Sequence, residues 1–294
     1  MLKFSKRLNS IAKSTDSYLK RNFSKQNYHN KLIKPMKYGL FSGGKRFRSA
    51  IVVNTGKIFG IEYRNLIAIG AAVECIHSYS LMHDDLPAMD NDDLRRGKLS
   101  THKKFNEFTA ILAGNSLITL AFEILSSKDL NLSENIKIKL IHALSNCSGY
   151  SGLAGGQYFD LTFENKKISK KNIIQMQRKK TGKLFGFCCE SIGIVSKKNF
   201  RSISFLKEIG MEIGLLFQIV DDLIDYKGDS SVVGKPTKSD KKKGKATLVN
   251  LLGYDLTLDF ANEIKKKLDY KIKKYGSKAD GLLESVEFIL NRKF

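Results

Sequence analysis

Apolar residues recur along this chain at helical spacing, and no stretch shows convincing strand alternation. Residues 1–38 read as one or two amphipathic helices with a basic, polar side. The most apolar run, Leu66 to Met82, is interrupted by Glu74 and His77 and predicts a buried helix from about Asn65 to Asp85. Its small residues Ala68, Gly70, Ala71 and Ala72 permit close contact with a neighbouring helix, and Pro87 predicts its end or a kink. Another buried helix is predicted over Phe108–Leu125, then a polar connection over 126–133 and a helix capped by Ser133 that runs through Leu144. Ser148 to Phe159 is glycine-rich, as closely packed helices or a break would require. Leu215, Leu216, Phe217, Ile219, Val220, Leu223 and Ile224 predict a further, largely buried helix. Lys227 to Lys245 is a lysine-rich polar loop with Gly228, Gly234, Pro236 and Gly244 as breakers, and basic amphipathic helices follow to Phe294. With no internal repeat and no linker, residues 1–294 are expected to form one all-α domain.

Composition supports this picture. A chain of 294 residues that is 42% hydrophobic has ample material for a core. Its prolines, Pro35, Pro87 and Pro236, leave room for long helices. The net charge of +22 and pI near 9.7 suggest polyanionic ligands, and a basic field would gather diphosphates. The excess lysine is spread over many segments, without zinc-finger spacing, an RNP-like aromatic motif or a recognition helix, so no nucleic-acid partner is expected. Cys75, Cys147, Cys188 and Cys189 lack metal-site spacing and read as buried thiols in a reducing compartment. The amino terminus lacks the apolar core of a secretory signal, and no membrane span is expected. The expected location is the cytoplasm.

The chemistry concentrates at the end of the first buried helix. Asp84, Asp85, Asp90, Asp92 and Asp93 crowd together with Arg95, Arg96 and Lys98, and such carboxylates require cations among them. Oxygen ligands without accompanying cysteine point to a hard divalent ion, and Mg2+ commonly arrives with one or two carboxylates plus substrate phosphates. Taken alone, the motif could equally be an acidic surface turn. Pro87 would let Asp90 turn back toward Asp84. His77 lies seven residues before Asp84, two turns along the same face, as a satisfied core histidine or as a ligand.

A second acidic cluster lies in Gln218–Asp225. Asp221 and Asp225 share a helix face with Gln218, and carboxylates on a buried helix need compensating charge. Two basic segments complete the set. Gly43 and Gly44 lead into Lys45, Arg46 and Arg48 at a helix start suited to an anion, or simply a basic loop. Lys180 and Thr181 offer a cation and a hydroxyl on another helix, a pair that alone reads as solvated surface. The 227–245 loop is a mobile surface loop or a basic lid closing on phosphate, with Lys235 and Lys245 as its candidates.

Taken together from Met36 to Gly253, these motifs resemble the short-chain trans-isoprenyl diphosphate synthases, the bacterial farnesyl diphosphate synthases most of all. The resemblance rests on Gly43–Arg48, on Cys75–Asp90 with Asp92–Gly97, on Lys180–Gly182, on Phe217–Asp225 and on Gly244–Thr247. It implies an isoprenoid synthase fold, all-α, with long, mostly antiparallel helices around a deep central cavity, and a homodimer. It implies Mg-dependent head-to-tail condensation of isopentenyl diphosphate with dimethylallyl and then geranyl diphosphate. By that likeness Asp84, Asp85, Asp90, Asp221 and Lys180 are catalytic, and Asp84, Asp90 and Asp221 hold Mg2+. Arg95, Lys180, Thr181, Gln218 and Lys235 would take the allylic diphosphate, and Lys45, Arg48, His77 and Arg96 the isopentenyl diphosphate. Ser49 stands where the family commonly has proline.

Product length is expected to depend on Tyr79, five residues before Asp84. Five helical residues rise roughly 7.5 Å, a little over one isoprene unit. Periodicity alone would align Ser80 with Asp84; the choice of Tyr79, with the longer first motif at Leu86–Met89, follows from the resemblance and implies a fifteen-carbon product. A terpene cyclase or head-to-head synthase would not need the separate basic site at Lys45 and Arg48. A noncatalytic subunit of this fold would be expected to lack one acidic cluster, and a nucleic-acid binder would show no Mg2+-dependent turnover.

Overall fold

The computed structural model describes residues 2–24, 31–227 and 244–292. It is all-α apart from one two-residue hairpin. By proximity the chain forms two compact units: Leu2–Val53 with Glu62–Ile141, and Asn54–Ile61 with His142–Phe294.

The amino-terminal unit is built on α4 (Tyr63–Asp84), with α1 (Leu2–Ser24), α2 (Ile33–Leu40) and α6 (Glu107–Ser126) packed against it. Every residue of α4 from Asn65 to Ile76 is buried, as a helix apolar on all sides must be. Each fully buried Ile or Leu in it contributes about 2 kcal/mol. α3 (Phe47–Ile58) precedes α4, and the short α5 (Thr101–Lys104) precedes α6. Asn106 caps α6 by accepting the Thr109 N–H at 2.9 Å. The predicted end of α4 is observed: after Pro87 the chain folds back, and Asp90 N donates to Asp84 O at 2.8 Å.

In the carboxy-terminal unit, α10 (Lys183–Val195) and α11 (Phe200–Lys227) pack along one another around Phe185, Phe187, Leu206, Ile213 and Leu216. α7 (Glu134–Ser148) leads to α8 (Leu153–Thr162) and α9 (Lys170–Gln177). From residue 248 onward come α12 (Leu248–Leu252), α13 (Tyr254–Lys273) and α14 (Asp280–Leu290).

Three local expectations change. First, Arg178–Gly182 is a π turn between α9 and α10, so Lys180 and Thr181 do not sit on regular α-helix. Second, Leu94–Arg95 (β1) pairs antiparallel with Lys98–Leu99 (β2) around Arg96 and Gly97. Both turn residues have positive φ, 54° and 72°, the signature of a two-residue hairpin turn, and strands this short leave no alternation to read. Third, α6 is buried along one side, while Phe108, Ile111 and Leu112 remain exposed.

Among the described residues two helices are long and apolar enough to cross a membrane, Tyr63–Asp84 and Glu107–Ser126. The apolar window of the first is 83% buried, marking a core helix; that of the second is 44% buried.

Candidate active site

The hairpin divides its two arginines between two places. Arg95 reaches the acidic motif: its Nε donates to Asp85 Oδ1 at 2.9 Å, its Nη2 contacts the same oxygen, and Nη2 lies 3.2 Å from Asp92 Oδ2. Asp85 is buried by this pairing, whereas Asp84 and Asp90 are half-buried. Arg96 turns instead to the glycine turn, where its Nη1 donates to Gly43 O. Gly44 has φ of 117°, which a residue with a side chain adopts only under strain, and a Cβ there would lie 2.6 Å from Arg96 Nη1 and push the guanidinium aside.

That turn also carries Lys45, which is exposed, and Arg48, which is half-buried. His77 joins them: burial first, then the positive charges of Arg48 and Arg96, hold its imidazole well below the ordinary histidine range. Arg48, Arg96 and the neutral imidazole of His77 are thus electrostatic neighbours, and Lys45 follows Gly44 on the same turn. Arg46 is different. It is buried, with Nε 2.8 Å from Asp16, Nη2 donating to Leu40 O at 2.6 Å and Nη1 3.7 Å from Glu74. It anchors the turn from behind.

Ser49, at the proline position, donates its backbone N–H to Glu74 Oε1 at 3.1 Å, a bond that proline could not make. Tyr79 is buried, with its ring edge-on to His83 at 5.6 Å between centroids. His83 Nε2 lies 3.1 Å from Ile111 O on α6, and a Cβ at Gly114 would stand 2.2 Å from that nitrogen.

In the carboxy-terminal unit, Thr181 Oγ1 donates to Gln218 Oε1 at 2.8 Å, and Gln218 Nε2 donates to Asp222 Oδ1 at 2.8 Å. Gln177 Nε2 supplies the other oxygen of Asp222 at 2.7 Å. The buried Asp222 is therefore a hub that the sequence reading passed over in favour of Asp221. Asp221 is 37% exposed and pairs with Arg292 at 2.8 Å. Lys180 pairs with Asp160 at 2.7 Å, and so does Lys245. Lys235 lies outside the described residues.

Among the described residues no three metal-ligating side chains cluster. In the first acidic motif the backbone bond brings Asp90 back to Asp84, and in the second Asp221 and Asp225 lie one turn apart on α11. All-oxygen pairs fit Mg2+, which keeps positions for water and phosphate oxygen, so these residues could hold it.

The family model for polyprenyl synthetase matches residues 29–286. The chain belongs to the polyprenyl synthetase family. Among its relatives is the farnesyl diphosphate synthase of Escherichia coli (strain K12), 41% identical over 256 residues, which cover 86% of this synthetase and 85% of the relative. A solved FPP/GFPP synthase from Zymomonas mobilis is 35% identical with a TM-score of 0.86, the match covering 98% of this synthetase and 99% of that chain. A geranyltransferase from Helicobacter pylori, solved with magnesium and isoprenyl diphosphate, is 30% identical with a TM-score of 0.82, covering 98% and 96% of the two chains. The fold of the synthetase is therefore the all-α isoprenoid synthase fold.

The sequence reading of this synthetase missed Asp160, Asp222, Gln177 and Arg292. Asp222 had a usable signal, because it lies four residues after Gln218 and so one helical turn away. Asp160 and Arg292 had none, since their partners lie far away in the chain.

Proposed function

We propose that the protein is a farnesyl diphosphate synthase. It condenses isopentenyl diphosphate head-to-tail with dimethylallyl and then geranyl diphosphate, releasing diphosphate. The division of Arg95 and Arg96 carries this reading: one arginine serves the acidic motif while its neighbour serves a separate cationic group. An elongating synthase needs two diphosphate sites, whereas a cyclase needs one. In this assignment Arg95, Lys180, Thr181, Gln218 and Lys235 receive the allylic diphosphate. Lys45, Arg48, His77 and Arg96 receive isopentenyl diphosphate, with His77 neutral and donating an N–H.

Asp84, Asp90 and Asp221 would hold Mg2+, which when bound neutralises charge on the diphosphate leaving group. Lys180 and Arg95 are fixed cations that stabilise the charge developing as the carbon–oxygen bond breaks. Gln218 presents its oxygen to the allylic cation; the amide cannot turn over, because Thr181 donates to its oxygen and Asp222 accepts from its nitrogen. The double bond of isopentenyl diphosphate then attacks, and a proton leaves to the departing diphosphate. Holding two substrates in register supplies much of the rate.

Tyr79 closes the elongation space at fifteen carbons. Residues 1–294 act as one catalytic domain, and the exposed apolar row of Phe108, Ile111 and Leu112 supports a homodimer. Four buried free thiols, with burial raising Cys189 to about 12, suit the reducing cytoplasm.

The test is incubation with labelled isopentenyl and dimethylallyl diphosphates, with and without Mg2+, followed by chromatography of the dephosphorylated alcohols. Farnesol formed only with metal is expected. Absence of product from folded protein would sink the reading.

A further inference from the structure

Two lysines from distant parts of the carboxy-terminal unit end on one oxygen. Lys180 Nζ and Lys245 Nζ each lie 2.7 Å from Asp160 Oδ2, and Asp160 is 7% exposed. Two ammonium groups brought to a single oxygen repel one another, and the carboxylate is what permits the approach. Burial pushes the Asp160 carboxyl upward, but the charges of Lys180 and Lys245 outweigh it and hold the group below its ordinary range.

The helix that carries Asp160 also fixes both lysines through their backbones. One turn earlier on α8, a Cβ at Gly156 would lie 2.1 Å from Lys180 N, so α8 lies directly on the π turn. Just beyond α8, Asn165 N donates to Gly244 O at 2.9 Å, next to Lys245. Glu164 Oε1 adds a contact to Lys245 Nζ at 3.0 Å. One helix and its following turn thus locate two cations that are remote in sequence.

From this geometry we infer that Asp160 is a positioning residue, holding the Lys180 and Lys245 ammonium groups side by side as a paired cation for the allylic diphosphate. The inference rests on the synthase reading above. Its sign separates it from a general field effect. Asp160→Asn raises the local charge by one, so a field alone would tighten diphosphate binding. Loss of position would weaken it.

The experiment is calorimetric titration of inorganic diphosphate, with Mg2+, into wild type, Asp160→Asn and Asp160→Glu, with steady-state kinetics beside it. Asp160→Asn is expected to weaken diphosphate binding about tenfold and to lower kcat/KM for dimethylallyl diphosphate ten- to a hundredfold. The KM for isopentenyl diphosphate should stay within about twofold, because its candidate ligands lie in the amino-terminal unit. Asp160→Glu keeps the charge and should recover part of the loss. If Asp160→Asn does not fold, Asp160→Glu must itself weaken binding. Tighter or unchanged diphosphate binding would overturn the inference, as would a loss shared equally by both substrates. A wild type that binds diphosphate through this pair without turnover would sink the synthase reading and leave the lysine pair standing.

Discussion

Arg292 Nη1 stands 2.8 Å from Asp221 Oδ1, and the same guanidinium lies 3.9 Å over the Phe217 ring. Its Nη2 donates to Phe217 O at 3.1 Å and its Nε to Ile289 O at 3.2 Å, so the charge is held in place. If Asp221 holds Mg2+ as proposed, the arriving ion meets a cation already there. Arg292→Gln should therefore strengthen metal binding about threefold or more, since a unit charge a few ångströms away near a surface carries energy of that order. A Mn2+ titration followed by electron paramagnetic resonance, in the presence of diphosphate, reads this directly. Unchanged affinity would leave Arg292 with a packing role on Phe217.

Thr181→Val keeps the shape of the side chain and deletes the hydroxyl that fixes Gln218. The Gln218 oxygen loses its restraint while its nitrogen keeps Asp222. The expected cost is about 1 kcal/mol in urea unfolding. The expected fall in kcat is about tenfold, without change in the KM for isopentenyl diphosphate. Equal effects on both substrates would argue against a role for Gln218 at the allylic carbon.

Tyr79→Ala should lengthen the product beyond fifteen carbons, read as geranylgeraniol after dephosphorylation. Gly114→Ala tests the support behind that floor. The new methyl group overlaps His83, whose ring must move away from the Tyr79 edge, at a cost of about 1–3 kcal/mol. A mixed product distribution is expected; farnesol alone from both variants would remove Tyr79 and its backing from the control of chain length.

His77 and His83 are both held below the ordinary value of 6.5, in each case by burial first. Below that pH the unfolded chain takes up protons that the folded chain refuses, so the unfolded state binds more of them. Stability therefore rises with pH in this window and is lost as pH falls below about 6.5. Urea midpoints between pH 5 and 7.5 should show this slope, and His77→Gln should flatten it. An unchanged slope would mean that His77 charges freely in the folded protein.

Ser49→Pro restores the residue expected from the family and should nevertheless destabilise this chain. It removes the N–H that Glu74 accepts, leaving a buried carboxylate short of one donor, at about 1–3 kcal/mol. Chemical denaturation measures it; a gain in stability would show that proline rigidity outweighs the lost bond.

The main helices were legible because their apolar positions recur with helical period over long stretches, as in α4 and α11. The return of Asp90 to Asp84 was legible too, because Pro87 leaves the chain few other courses. Hidden features depended on partners far away in the chain. Arg46 looks like its neighbours Lys45 and Arg48 until Asp16 and Glu74 enclose it. Asp160 looks like any helical aspartate until residues twenty and eighty-five positions later converge on it. The hairpin escaped because two-residue strands carry no period, and α6 looked fully buried because exposed apolar residues have the same composition as core.

A π turn is one residue inserted into an α-helical path. Removing a single codon within Arg178–Lys179 would leave composition and hydropathy almost untouched, yet restore the regular helix. The flanking helices would keep their phase, because the wide turn is what absorbs the extra residue, and the change would fall on the side chains of the turn itself, each displaced by up to about 100° around the axis. Lys180 and Thr181 could not both keep Asp160 and Gln218 while α9 and α10 kept their own neighbours. Reading-frame-neutral deletions are commonly tolerated in loops; here one would be lethal to activity in the middle of a helix, because the chemistry depends on phase as much as on identity.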